Sequence, residues 1–137
     1  MRSLPAVGWL VVVAGPGLGS DFRLVQGANR IGRQANLEVC LDFGASSDAS
    51  VSREAHAVVV FDHHKQEFFI ERGNSRNLPL LNGDAIRGEP TLKAHDVIQV
   101  GETRLLFVPL CHPGLHWEGG LLDMLAREQG KRAEQAT

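Results

Sequence analysis

Cysteine is scarce in this chain. Cys40 and Cys111 are the only two, too few to staple a small secreted scaffold. Both sit beside apolar residues and read as small buried thiols. That fits a reducing compartment, so a cytoplasmic location is expected. Clustered positive charge is missing as well. Fourteen Lys and Arg against 16 Asp and Glu give a formal net charge of −2. A nucleic-acid-binding domain needs a basic patch or stripe, so no nucleic-acid partner is expected. No segment approaches the ~20 apolar residues of a membrane helix, and no membrane partner is expected either. The apolar run from Val7 to Ala14 follows a single basic residue, Arg2, and is interrupted by Gly8, with Pro5 just before it. It is read as a buried first strand rather than a signal peptide. Helical periodicity is absent from residues 7 to 108, and there is no internal repeat or low-complexity tract.

What remains is a β pattern. The 137 residues, 43% of them hydrophobic, suit one compact core. Fifteen glycines favour many turns. Apolar or alternating stretches at residues 8–13, 22–25, 29–31, 37–41, 55–61, 67–71, 97–100 and 104–108 predict strands. Gly15-Pro16-Gly17-Leu18-Gly19 breaks the first of them. Residues 55–61 and 67–71 predict a hairpin across the turn Asp62–Gln66, and Asn82-Gly83 is a second hairpin signal. The expected fold is an all-β, two-sheet sandwich of about ten to eleven short strands over residues 1–110. Residues 111–137 form a tail. Leu121, Leu122 and Leu125, with Trp117 one turn earlier, predict a short amphipathic helix over about 120–131. Its apolar face is expected to pack on the sandwich or a partner, and its polar end, Arg127 to Thr137, to fray.

Catalytic signatures are absent. Ser, His and Asp all occur, but there is no Gly-x-Ser-x-Gly and no phosphate-loop pattern. Gly15–Gly19 lacks the following helix and the Lys of a nucleotide loop, so it reads as a strand connection. Cys111, His112 and His116 lie close together, but no second Cys/His pair completes a zinc site. No enzyme activity, metal or cofactor is expected. A different set of residues stands out, spread over three loops. Arg30-Ile31-Gly32-Arg33 comes first, then Ser50-Val51-Ser52-Arg53-Glu54-Ala55-His56-Ala57, then Gly73-Asn74-Ser75-Arg76-Asn77. Each joins predicted strands and supplies Arg, Ser or Asn. Arg offers a planar fork that matches phosphate oxygens, while Ser hydroxyls and Asn amides add neutral donors.

The ordered set Gly32-Arg33, Ser52-Arg53 with His56-Ala57, Ser75-x-Asn77 and Asn82-Gly83 resembles the forkhead-associated (FHA) domain family. The likeness runs from about Trp9 to Val108. It implies a sandwich with its recognition loops at one end, and a phosphothreonine-dependent adaptor in Ser/Thr kinase signalling in a bacterial setting. The implied partner is a phosphothreonine-containing protein, such as a kinase or its substrate. The resemblance assigns phosphate contact to Arg33 and Ser52, peptide-backbone contact to Asn77, and a place near the phosphate to Arg76. Gly32 would let the chain turn tightly and His56 would brace the loop. The family usually has two residues between its serine and histidine. Here there are three, Arg53, Glu54 and Ala55, so either Ser52 or Arg53 stands at the serine position. Asn77-Leu78-Pro79 replaces the usual Asn-Gly-Thr, and the loop from Asp42 to Ser50 is long. The alternative function is a phospho-independent assembly module that uses the same sandwich and the C-terminal helix.

Overall fold

A computed structural model describes residues 4–135. Ten strands form among the described residues, in chain order: β1 (Gly8–Ala14), β2 (Asp21–Leu24), β3 (Gly27–Gly32), β4 (Val39–Cys40), β5 (Ala57–Asp62), β6 (Glu67–Arg72), β7 (Leu80–Leu81), β8 (Asp84–Ala85), β9 (Val97–Val100) and β10 (Thr103–Pro109). They make two sheets, one ordered β2-β1-β10-β9-β7-β8 and the other β4-β3-β5-β6. Every pairing is antiparallel except β3 with β4. This is the expected two-sheet sandwich.

Alternation decides which side chains go inside. In β5, Ala57, Val59 and Phe61 are buried while Val58 and Val60 are partly exposed. In β10, Thr103, Leu105 and Phe107 point inward. Side chains two apart share a sheet face, so each strand gives one row to the core. The two rows meet at Phe68 and Phe107, whose rings lie edge to face with centroids 4.8 Å apart. The run read as a buried first strand is β1, Gly8–Ala14, held between β2 and β10. At Asn82 (φ 51°) and Gly83 (φ 91°), both central residues are left-handed, as a type I′ hairpin turn requires.

Three local expectations change. The strand expected at residues 37–41 shrinks to Val39–Cys40, because only Ile31 and Gly32 of β3 are available as parallel partners. Leu37 and Leu41 are still buried, and the Leu41 N–H donates to the Gly32 carbonyl at 2.7 Å. Trp117 is not on the helix. It belongs to a 3-10 turn, Trp117–Gly119, and Gly120 at φ 75° separates that turn from helix α1 (Leu121–Gln135). The indole N–H instead donates to the Ala6 carbonyl at 2.6 Å. Helix α1 also runs further than expected, through the segment read as fraying. Residues 126–135 are rich in Ala, Arg, Lys, Glu and Gln, all good helix formers. Thr137 and the residue before it lie outside the described residues. The helix packs chiefly on the 3-10 turn, and Leu122 is 76% exposed. No helix among the described residues is long and apolar enough to cross a membrane.

The β6 edge is not bare. Phe69 bridges Thr91, the Ile70 N–H donates to the Pro90 carbonyl, and the Leu92 N–H donates to Phe68. Residues 90–92 thus lie along β6 as a short irregular partner.

Candidate functional site

The first loop leaves β3 through two arginines with different fates. The Arg30 guanidinium is committed. Its Nε and Nη2 donate to the two oxygens of Glu38 at 2.9 and 2.8 Å, and Nη2 also reaches the Asn36 carbonyl. The hydrogen bond from Arg30 pulls the Glu38 carboxyl down to about 2, against a smaller opposing effect of burial. Arg33 is held differently. Its Nε–H donates to the Val51 carbonyl at 2.7 Å, and it has no carboxylate partner among the described residues. Its terminal nitrogens are left free to bind something else.

Gly32 does not turn the chain by adopting a left-handed conformation, since it is not among the positive-φ glycines. It is needed for closeness. A Cβ at this position would strike the Glu54 carbonyl and come within 2.6 Å of Leu37 Cδ1.

The second loop passes directly over that point. The Arg33 N–H is shared between the carbonyls of Ser52 (3.1 Å) and Arg53 (3.2 Å), and the Gln34 N–H donates to Arg53. His56 then fixes the loop from below. It is fully buried, and its Nδ1 accepts from the Ser52 N–H at 3.0 Å. An accepting Nδ1 puts the ring proton on Nε2 in the neutral tautomer. That atom is buried and lacks a partner with good geometry. The ring is kept neutral chiefly by burial, which lowers its pKa. The nearby Asn77 main chain and the Asp48 charge oppose the shift. Asn77 therefore influences the ring even though no well-formed bond joins them. The histidine thus braces the backbone of Ser52, not of Arg53, despite the three residues between Ser52 and His56.

The third loop is laced to the second by main-chain bonds. The Gly73 N–H donates to His56 at 3.1 Å and the Asn74 N–H to Ala55 at 2.8 Å. A side chain at Gly73 would collide with the Ala55 carbonyl. The loop then turns outward, with the Asn77 N–H donating to Ser75 Oγ at 3.1 Å. Arg76 and Asn77 are exposed. At the exit Pro79 is buried, and its carbonyl accepts from Ile86.

The structure therefore brings Arg33, Ser52 and Arg53 together directly, and joins the loop of Arg76 and Asn77 to them through Gly73 and Asn74. Among the described residues, the side chains of Ser52, Arg53, Arg76 and Asn77 make no hydrogen bond within the protein. The result is a rim of unpaired donors around a guanidinium fixed at one nitrogen. Sequence reasoning did not reach the Val51 carbonyl or Gly73, because both act through backbone geometry that only the folded chain reveals.

Elsewhere, Cys111, His112 and His116 do not converge. His112 and His116 each accept, through Nδ1, from a nearby glycine N–H, and no group of three ligating side chains occurs among the described residues. Both cysteines are free, Cys111 buried and Cys40 only partly so.

The FHA domain family model matches residues 29–101, from β3 to just beyond β9. The chain belongs to the FHA family. Solved FHA structures agree in fold. The FHA domain of the CT664 protein from Chlamydia trachomatis is 28% identical with a TM-score of 0.63, over 75% of this chain and 97% of that one. EmbR of Mycobacterium tuberculosis, solved with a low-affinity phosphopeptide, is 31% identical with a TM-score of 0.62, over 81% of this chain and 26% of EmbR. An FHA domain studied for its phosphothreonine-dependent interactions is 27% identical with a TM-score of 0.61, over 74% and 94%. Among curated proteins none matches this sequence. The FHA family model begins at Asn29, so β1 and β2, which the sequence resemblance included, lie outside the residues it matches.

Proposed function

We propose that this FHA domain is an adaptor that binds proteins carrying phosphothreonine, and that it acts by binding without turnover. The observation that carries the reading is the state of Arg33. Its Nε is anchored on Val51, and no carboxylate neutralises it among the described residues. A guanidinium fixed in this way, with its outer edge free, is set up to form a two-pronged contact with an oxyanion. A phosphate monoester brings about −1.5 to −2 charges near neutral pH. Each charge-assisted bond to it contributes roughly 1.5–3 kcal/mol, enough for two or three of them to make a weak peptide groove phosphate-dependent. The two relatives solved with, or studied for, phosphopeptide binding support the same reading.

In this proposal Arg33 and the Ser52 hydroxyl hold the phosphate. Arg53 and Arg76 sit at its margin, and Asn77 binds the peptide main chain. Gly32 and His56 keep the loops in place. The partner is a phosphothreonine protein of Ser/Thr kinase signalling, and residues 1–110 are the recognition unit with 111–137 as an appendage. A second reading, docking without phosphate, is favoured by the exposed Leu122 and Leu125 of α1.

Calorimetric titration with one peptide in phosphothreonine, threonine and phosphoserine forms separates the two. The expected result is binding of the phosphothreonine form alone, lost about ten- to a hundredfold in Arg33→Ala and only partly recovered in Arg33→Lys. Equal binding of the unphosphorylated peptide would establish the docking reading in its place.

A further inference from the structure

Arg33 is only as well placed as the Val51 carbonyl that holds it, and Val51 lies in the longest connection of the sandwich, between β4 and β5. A connection of this length is expected to wander. Here one carboxylate pins it. Asp48 Oδ1 accepts from the Ser50 N–H at 2.9 Å and from the Ser50 hydroxyl. Asp48 Oδ2 accepts from the Glu102 N–H at 2.8 Å and from Thr103 Oγ1 at 2.9 Å. The last two donors come from the β9–β10 turn (Glu102) and the first residue of β10 (Thr103), in the other sheet. Glu102 N–H also reaches Ser50 Oγ at 3.2 Å. The Asp48 carbonyl accepts from the Val51 N–H at 3.1 Å, and Val51 itself is buried in the core.

The fit at the turn is close. Gly101 sits at φ +58°, and a Cβ there would lie 2.9 Å from the Ser50 carbonyl carbon. Burial alone would raise the Asp48 carboxyl, but the donors from Ser50, Thr103 and Glu102 together outweigh it and hold it below the ordinary aspartate value. The group is therefore an ionised acceptor with all four bonds charge-assisted. Bonds to an ionised acceptor are about twice as strong as neutral ones.

We propose that Asp48 is the positioning residue of the phosphate site: by fastening the β4–β5 loop to the β9–β10 turn it fixes the Val51 carbonyl and, through it, the Arg33 guanidinium. Its role in ligand binding rests on the phosphothreonine reading. The geometric part stands without it. Asp48 touches no ligand, and its effect passes entirely through Val51 and Arg33. The β9–β10 turn, remote from all three recognition loops in sequence, thereby becomes part of the site.

Two measurements on the full chain test this. The first needs no ligand. In wild type the Arg33 Nε–H, bonded to Val51, should give a dispersed NMR signal that exchanges slowly with solvent. In Asp48→Ala it should move toward the signals of exposed arginines and exchange about tenfold faster or more. Asp48→Asn, which keeps the shape and one carbonyl acceptor, should fall between. The second measurement is phosphothreonine-peptide affinity. Asp48→Ala should weaken it about tenfold, the equivalent of one charge-assisted bond. The same change made in Arg33→Ala should cost nothing further, because the two residues act in series. Should Asp48→Ala fail to fold, Thr103→Val removes a single donor to the carboxylate and should shift the Arg33 signal in the same direction. An unmoved Arg33 signal in a folded variant, or losses of affinity that simply add, would overturn the proposal. If wild type binds no phosphopeptide at all, the phosphothreonine reading falls, and the Arg33 signal still decides whether the clamp exists.

Discussion

Replacing His56 by Leu should change how stability responds to acid. In the folded chain the ring is neutral, because it is fully buried and its Nδ1 accepts from the Ser52 N–H. Burial lowers its pKa below the ordinary 6.5. In the unfolded chain the ring titrates at its ordinary value. Between the lowered folded value and 6.5 the unfolded chain therefore binds more protons, so stability rises with pH across that window. The contribution is complete above about 6.5 and is lost as pH falls below it. Whatever the folded value, the loss from pH 7 to pH 5 cannot exceed what the unfolded ring gains from protonation, about 2 kcal/mol. His56→Leu removes this dependence. At pH 7 it strands the Ser52 N–H, a cost of about 1–3 kcal/mol, but it also removes an Nε2–H that has no good partner in wild type. The two effects oppose, so the net loss at pH 7 should fall at or below the low end of that range. Urea unfolding of both proteins at pH 7, 6 and 5 measures each part, and subtracting the two curves cancels the other five histidines. Parallel pH curves would refute the argument, because they would mean that His56 is protonated as easily in the fold as out of it.

Gly73→Ala should destabilise by about 2 kcal/mol or more, since its Cβ meets the Ala55 carbonyl, a backbone atom with no room to yield; a urea midpoint equal to wild type would contradict this. The Arg30–Glu38 pair should contribute a modest, salt-sensitive stability. With the folded Glu38 value lowered from 4.5 to about 2, that contribution is complete above about pH 4.5 and disappears as pH falls toward 2. The stability difference between wild type and Glu38→Gln should shrink across that range, and a difference constant from pH 6 to 2 would count against the pair. Leu122→Ser should leave the urea midpoint within about 0.5 kcal/mol of wild type, because the side chain is already 76% exposed; a larger loss would show that α1 is part of the cooperative core.

Much of this was legible in the sequence because it is written in periodicity and turn chemistry. The alternation of Ala57, Val59 and Phe61 identifies β5 and its buried face, and Asn82-Gly83 identifies a hairpin, before any coordinates are known. The order of the three loops is equally plain. What the sequence could not say is which of Arg30 and Arg33 is free. Glu38 decides that, and it reaches Arg30 only because β4 runs parallel beside β3. The same parallel pairing cuts the expected strand at 37–41 to two residues. The requirement for Gly32 is hidden from the sequence for a related reason. Its requirement comes from Glu54 passing overhead, not from its own torsion angle. Asp48-Ala49-Ser50 does carry a local signal, an Asp accepting from the N–H two residues on, but nothing in that tripeptide announces Glu102 and Thr103. At the C-terminus, helical spacing joined Trp117 to Leu121 and overlooked Gly120, whose left-handed backbone separates them.

The strip at residues 90–92 has a consequence for how copies of this domain meet one another in crowded solution. The edge it covers carries Phe68, Phe69 and Ile70 in succession, the kind of apolar strand border that recruits another border by main-chain pairing. Pro90 offers its carbonyl to Ile70 but has no N–H to extend a ladder outward, so the cover ends the sheet rather than widening it. Loosening the strip would expose the Phe68 carbonyl and the Ile70 N–H at once. Self-association should then begin at this border, by main-chain pairing along β6.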